Sequence, residues 1–141
     1  MVSKIKIIAI GKIKESYIRE GIEEYLKRLK PFVKIEIIEL KDEGLKKEGE
    51  KISNYLSQNT FTLDEKGKEY SSVEFASMIK KIEGELTLII GGANGIDEEI
   101  KKKSKTISLS KMTLIHEMAR LVLIEQIYRG CMINSGREYH K

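Results

Sequence analysis

Leu86-Thr87-Leu88-Ile89-Ile90-Gly91-Gly92-Ala93-Asn94-Gly95 is the stretch that decides the fold. Its first five residues carry no charge. Such a run suits a strand of a parallel sheet covered on both faces, rather than one with a wet side. The glycines that follow end it in a strand-to-helix turn, after which Asp97 is placed to cap a short helix holding Lys101, Lys102, Lys103 and Lys105.

Outward from this strand, the rest of the chain alternates in the same way. Lys4 to Ile10 and Lys34 to Leu40 read as strands. Between them, Glu15 to Leu29 reads as a helix, with Ile18, Ile22, Tyr25, Leu26 and Leu29 on one stripe and Pro31 stopping it. Lys41 to Glu50 is charged and expected to be exposed, with a helix starting inside it and running to about Ser57. Phe61 to Leu63 is a short strand and Asp64 to Lys68 a loop. Ser71 or Ser72 caps a helix to about Lys81, packed by Val73, Phe75, Met78, Ile79 and Ile82. Thr106 to Leu109 is the last strand, and a final helix runs from about Thr113 to Gly130. The fold class expected is α/β, a mostly parallel sheet with helices on both faces.

The chain has 141 residues, 40% hydrophobic and 34% charged, and is expected to form one domain over 1–141. At this length roughly two-thirds of the unfolded surface is buried on folding, so no staple is needed. A lone cysteine, Cys131, excludes an internal disulfide, and no Cys/His cluster has zinc spacing, so no metal is expected. No run reaches a membrane span, and the start lacks a secretion signal, so the expected setting is the cytoplasm, with no membrane partner. The formal charge of +4 permits contact with nucleic acid without demanding it. The lysine run reads as a solvated face.

In open parallel sheets ligands bind at the carboxyl ends of strands. Three such loops stand out, at Leu63-Asp64, Gly91 to Gly95 and Leu109 to Leu114. The glycine loop is neither G-x-G-x-x-G nor G-x-x-x-x-G-K-[ST], which argues against a dinucleotide oxidoreductase or an ATPase and leaves a tight turn as the plain alternative. The final helix is apolar around most of its girth, which suggests that a second subunit covers part of it. His116 and Arg120 share a face, as do Glu125 and Arg129, whose plain reading is a structural ion pair. The closing residues Arg137, Tyr139, His140 and Lys141 offer donors, a stacking ring and an imidazole, a set suited to RNA phosphate and base. A non-catalytic RNA-binding α/β module explains that tail but not three clustered edge loops.

Taken together, Leu63-Asp64 with Gly67-Lys68, Ile90 to Gly95, Ser108 to Leu114 with His116, then Arg120, Glu125-Gln126, Tyr128-Arg129 and Tyr139-His140-Lys141 resemble the RlmH family, the ribosomal RNA large-subunit methyltransferase H proteins of the SPOUT class. The likeness runs in order along essentially the whole chain. It implies a SPOUT fold with a C-terminal trefoil knot, a homodimer, S-adenosylmethionine as cofactor, and methylation of N3 of a pseudouridine in 23S rRNA; because a domain this small has no room for a dedicated RNA module, action on assembled ribosomes is expected. It implies cofactor contacts at Leu63, Gly91, Leu109, Ser110, Lys111, Met112, Thr113 and Leu114. His140, Tyr139 and Arg129 are the expected catalytic residues, and Arg137 and Lys141 the expected RNA contacts. Ile115 and Glu138 stand where the family commonly has proline; both bear on loop rigidity and neither removes a group the reaction needs.

Overall fold

The computed structural model describes residues 2–141. Five strands and five α-helices alternate. They are β1 (Val2–Ile10), α1 (Ser16–Leu29), β2 (Lys34–Leu40), α2 (Leu45–Ile52), β3 (Asn59–Glu69), α3 (Ser72–Lys81), β4 (Gly84–Ile90), α4 (Glu98–Lys102), β5 (Lys105–Ser108) and α5 (His116–Asn134). One sheet holds all five strands in the order β2-β1-β4-β3-β5, and every pairing is parallel. The uncharged stretch that anchors the sequence reading forms most of β4, the central strand of that order.

Alternation along the strands feeds two cores. Ile5, Ile7 and Ala9 of β1, with Leu86, Leu88 and Ile90 of β4, face α1, α3 and α5 through Ile18, Ile22, Phe75, Ile79, Leu123, Ile124 and Ile127. Ile8, Ile10 and Ile89 face the other way, onto Ile52 of α2 and Ile96 and Ile100 beside and in α4. Both sheet faces are therefore covered by helices, which is why β4 tolerates no charge between Leu86 and Ile90. Buried threonines on the strands find partners: Thr87 the Ser57 hydroxyl at 2.8 Å, Thr62 the Ser104 hydroxyl at 2.7 Å, and Thr60 the Ser57 backbone carbonyl at 2.7 Å.

Ser71 caps α3 with a reciprocal capping box, its hydroxyl accepting from the Glu74 N–H and the Glu74 carboxylate accepting from the Ser71 N–H. Asp97 caps α4. α5 ends in a Schellman turn: Arg137 N–H bonds the Met132 carbonyl and Gly136 N–H the Ile133 carbonyl, with Gly136 at φ +70°.

The structure corrects several sequence expectations. Asp64 to Lys68 is not a free loop; β3 continues to Glu69, with Leu63 and Lys68 both opposite Ile107, so residues 64–67 bulge out between them. Gly67 is required there, because an added Cβ would sit 2.7 Å from the Ile107 backbone nitrogen. Val73 is 55% exposed rather than packed, and Glu48 in the charged segment is buried, accepting the N–H groups of Glu43 and Gly44. α2 ends at Ile52 and passes into a short 3₁₀ turn at Ser53–Tyr55. α5 begins three residues later and ends four later than its apolar pattern suggests. Much of its apolar girth is covered by its own chain, since α5 lies on the sheet in contact with both α1 and α3.

Candidate functional site

A pocket of about 680 Å³ opens at the carboxyl edge of the sheet. Three segments build it: the β3 bulge, the glycine loop after β4 and the loop joining β5 to α5. Its size lies inside the range of roughly 300–1,000 Å³ usual for small-molecule sites. Leu63, Gly91, Leu109, Ser110, Met112, Thr113 and Leu114 all line it. Lys111 does not. Its ammonium is exposed and lies 3.7 Å from the Glu69 carboxylate, so this expected cofactor contact turns away from the pocket.

The glycine loop is both a tight turn and a wall of the pocket. Gly92 and Gly95 form a bridge, with Gly95 N–H donating to the Gly92 carbonyl at 3.1 Å and Gly95 at φ +84°. An added Cβ on Gly91 would sit 2.5 Å from the Gly95 carbonyl oxygen, so the turn closes only on glycine. The loop after β5 is held by Ser108 Oγ, which donates to the Ser110 carbonyl, and by Ser110 Oγ, which accepts from Met112 N–H, each at 2.9 Å. Ile115 has φ −62°, the value a proline ring imposes, so the departure from proline leaves the backbone path unchanged.

The β3 bulge is tied across the pocket. Thr113 Oγ1 donates to Glu65 Oε2 at 2.6 Å. Asp64 accepts the Lys66 N–H and pairs with Lys101 at 3.4 Å; the N–H bond first, then the ammonium, hold its carboxyl below the usual range. One member of the lysine run therefore works in the pocket wall rather than in solvent.

At the N-terminus of α5, His116 lines the pocket, and two neighbours fasten the helix to the segment after β1. Glu117, 6% exposed, accepts the N–H groups of Lys14 and Glu15 at 3.0 and 3.1 Å. Those bonds hold its carboxyl below the ordinary range. Arg120, 3% exposed, donates to Glu39 at 2.5 Å and to the Gly11 carbonyl at 3.1 Å. Neither anchor is visible as such in the sequence; the only signal was the shared face of His116 and Arg120.

The tail forms a second cluster. Tyr139 donates to Glu125 at 2.8 Å and meets the Tyr25 hydroxyl at 3.1 Å. Its ring stands edge-on to Tyr128, with centroids 4.8 Å apart, and under the Arg129 guanidinium at 4.8 Å. Arg129 also bonds Glu125 at 2.7 Å and contacts His140 Nδ1 at 3.1 Å. Arg137 stacks on Phe32 at 5.1 Å. Lys141 is exposed at the chain end. Burial first, then bonds to Tyr25 and Glu125, push the Tyr139 phenol well above its usual value. Arg129, His140 and Tyr139 thus converge, while neither they nor Arg137 line the pocket. Thirteen residues separate His116 from Arg129 along α5, about 20 Å at ~1.5 Å per residue.

Among the described residues no group of three or more His, Cys, Asp or Glu is placed to hold a metal, and no helix is long and apolar enough to cross a membrane.

The comparisons agree with this architecture. A family model described as predicted SPOUT methyltransferase matches residues 3–140. A protein of Streptococcus mutans serotype c named ribosomal RNA large subunit methyltransferase H is 41% identical, over 98% of this chain and 99% of its own length. Proteins of the same name from Ligilactobacillus salivarius and Bacillus thuringiensis (strain Al Hakam) are 43% and 42% identical, over 97% of this chain and 99% of their own lengths. The chain belongs to the SPOUT methyltransferase family, among the relatives of ribosomal RNA large subunit methyltransferase H.

Proposed function

We propose that the chain methylates large-subunit ribosomal RNA, transferring a methyl group from S-adenosylmethionine to N3 of a pseudouridine in 23S rRNA. The observation that carries this reading is the pocket: three separate sheet-edge loops converge on it, and the positions matching family cofactor contacts line it, Lys111 apart. The whole chain, 1–141, acts as one domain, in the cytoplasm where ribosomes are modified.

The donor, when bound, supplies an electrophilic methyl carbon, so the residues here have only to position, orient and manage charge. Leu63, Leu109 and Leu114 enclose the adenosine by apolar contact. The backbone of Gly91 and of Ser110 to Thr113 offers hydrogen bonds at its edges. The acceptor's N3 carries a proton that leaves as methyl arrives. His140 takes that proton. Tyr139 orients the base and Arg129 steadies negative charge developing on it, while Arg137 and Lys141 hold phosphates.

One protomer does not place these groups against its own pocket. The tail cluster lies near the other end of α5 from His116, so we infer a homodimer in which one subunit's tail completes the other's pocket. Half-buried Leu121, Val122 and Tyr128 on α5 remain for that contact. The C-terminal trefoil knot belongs to the same reading. It is supported by the path of the chain after β5 at the sheet edge, which returns across the carboxyl ends of the strands to fasten at Gly11, Lys14 and Glu39 near β1 and β2.

The test is transfer of labelled methyl from S-adenosylmethionine to ribosomes that lack the modification, followed by mapping of the labelled base. Label on N3 of a pseudouridine is the expected result. Label elsewhere, or transfer to naked rRNA as fast as to ribosomes, rejects the substrate assignment.

A further inference from the structure

The charges lining the pocket do not balance. Of its two carboxylates, Asp64 is matched by Lys101 and by the Lys66 N–H. Glu65 has a hydroxyl partner, Thr113, and among the described residues it forms no ion pair. Lys101, the only lysine in the lining, is shared between Asp64 and Glu98. Much of the remaining wall is apolar side chain, from Leu63, Ile90, Leu109, Met112 and Leu114. Glu65 is exposed at the open side of the pocket, so water screens it in part; with no cation of its own it still favours a cationic ligand over a neutral one of the same shape, by roughly 1 kcal/mol at contact distance in water.

We propose that Glu65 is a specificity-determining residue that makes the pocket prefer the positively charged methyl donor over the spent product. The inference rests on the reading of this pocket as the S-adenosylmethionine site. In the transfer the sulfur–methyl bond breaks with its electron pair staying on sulfur, the new bond forms from N3 to the methyl carbon, and the N3 proton passes to the base. The sulfonium thereby becomes a neutral thioether. The ligand loses one positive charge while keeping its shape nearly intact, so a fixed carboxylate separates the two states where packing does not. It holds the donor before reaction and weakens its grip once reaction is complete.

The experiment is calorimetric titration of the wild type, Glu65→Gln and Glu69→Gln with S-adenosylmethionine and with S-adenosylhomocysteine. Glutamine at 65 keeps an acceptor for Thr113, so the bulge retains its shape. Glu69 lies on the same strand but outside the pocket lining, facing Lys111, and serves as a control for distant charge. The expected result is that Glu65→Gln weakens donor binding about fivefold and product binding less than twofold. Glu69→Gln leaves the ratio of the two affinities as in wild type. Equal loss of both ligands, no loss of either, or the same change in ratio from Glu69→Gln overturns the proposal while leaving the pocket assignment standing. A wild type that binds neither ligand overturns the pocket assignment and this proposal with it.

Discussion

The Tyr139 hydroxyl donates to Glu125 Oε2 at 2.8 Å, and the Tyr25 hydroxyl lies 3.1 Å from the Tyr139 hydroxyl oxygen. With its proton committed to a carboxylate, Tyr139 leaves its oxygen free to accept from Tyr25. The phenol is held protonated by burial and by this carboxylate, above its usual value, so ionisation is suppressed further into alkali. This argues against tyrosinate as the proton acceptor and leaves His140, whose ring touches Arg129, as the group suited to the work. Tyr139→Phe is expected to keep kcat within about tenfold of wild type, whereas His140→Ala loses about a hundredfold or more. Steady-state methyl transfer measured from pH 6 to 9 checks this. A rate that rises with tyrosine ionisation and vanishes in Tyr139→Phe reverses the assignment.

Glu117 joins the mouth of the pocket to the segment after β1. Its carboxyl is lowered by the Glu15 N–H first, with the Lys14 N–H adding to it, so the stabilisation is present above the ordinary glutamate value. It is lost as pH falls through the depressed value. Glu117→Gln is therefore expected to lower Tm by roughly 3–5 °C at pH 7, with the gap to wild type narrowing below about pH 4. Thermal unfolding followed by circular dichroism at pH 7 and at pH 3.5 tests the sign. A gap that widens in acid contradicts it.

The bounds of β2 and the caps of α3 and α4 are legible in the sequence because local chemistry sets them: alternating or continuous apolar runs, a serine before Glu74, an aspartate before Glu99. The carboxyl-edge loops are legible for the same reason, since a parallel sheet fixes where its strands end. What local chemistry does not set is harder to see. Residues 64–67 look like a loop, yet the chain rejoins β5 at Lys68 because Ile107 is there to pair with it, a partner nearly 40 positions away. Glu117 passes unremarked in the sequence and Arg120 shows only a face shared with His116; both become anchors only because α5 is laid against Gly11 and Lys14, over 100 positions earlier. The tail reads as a set of groups suited to RNA, and nothing local shows that Gly136 turns it back onto Phe32, Tyr25 and Tyr128.

Arg120 and Glu39 form a pair of unequal burial. The Arg120 side chain is 4% exposed, while the Glu39 side chain is 39% exposed. Removing either partner does not have the same consequence. Glu39→Ala strands a buried cation that keeps only the Gly11 carbonyl, and an unpaired buried charge costs about 3–5 kcal/mol. Arg120→Met removes the charge, fills much of the same volume and leaves a carboxylate that water reaches, so its cost is expected to stay near ~2 kcal/mol. Urea unfolding of both variants decides it. If Arg120→Met is the more damaging of the two, the pair is not limited by the desolvation of arginine.

Two glycines in different surroundings are expected to respond in opposite directions. Gly91 sits at the turn after β4, where an added Cβ would lie 2.5 Å from the Gly95 carbonyl oxygen and 2.7 Å from its carbon. Both are backbone atoms, held by the Gly92–Gly95 bridge, so the turn has to open to admit the methyl. Gly91→Ala is therefore expected to widen the wall of the pocket and lower affinity for S-adenosylmethionine at least tenfold. Gly130 lies inside α5, with its nearest neighbour to an added Cβ the Ile79 Cδ1 at 3.4 Å. That is ordinary contact with a side chain able to shift, and alanine in a helix interior is favoured over glycine by about 0.5–1 kcal/mol. Gly130→Ala is expected to raise unfolding stability by about 0.5 kcal/mol without changing ligand affinity. Calorimetric titration and urea unfolding of both variants test the pair, and a destabilised Gly130→Ala shows that α5 needs its close approach to Ala76 of α3 more than it needs helix propensity.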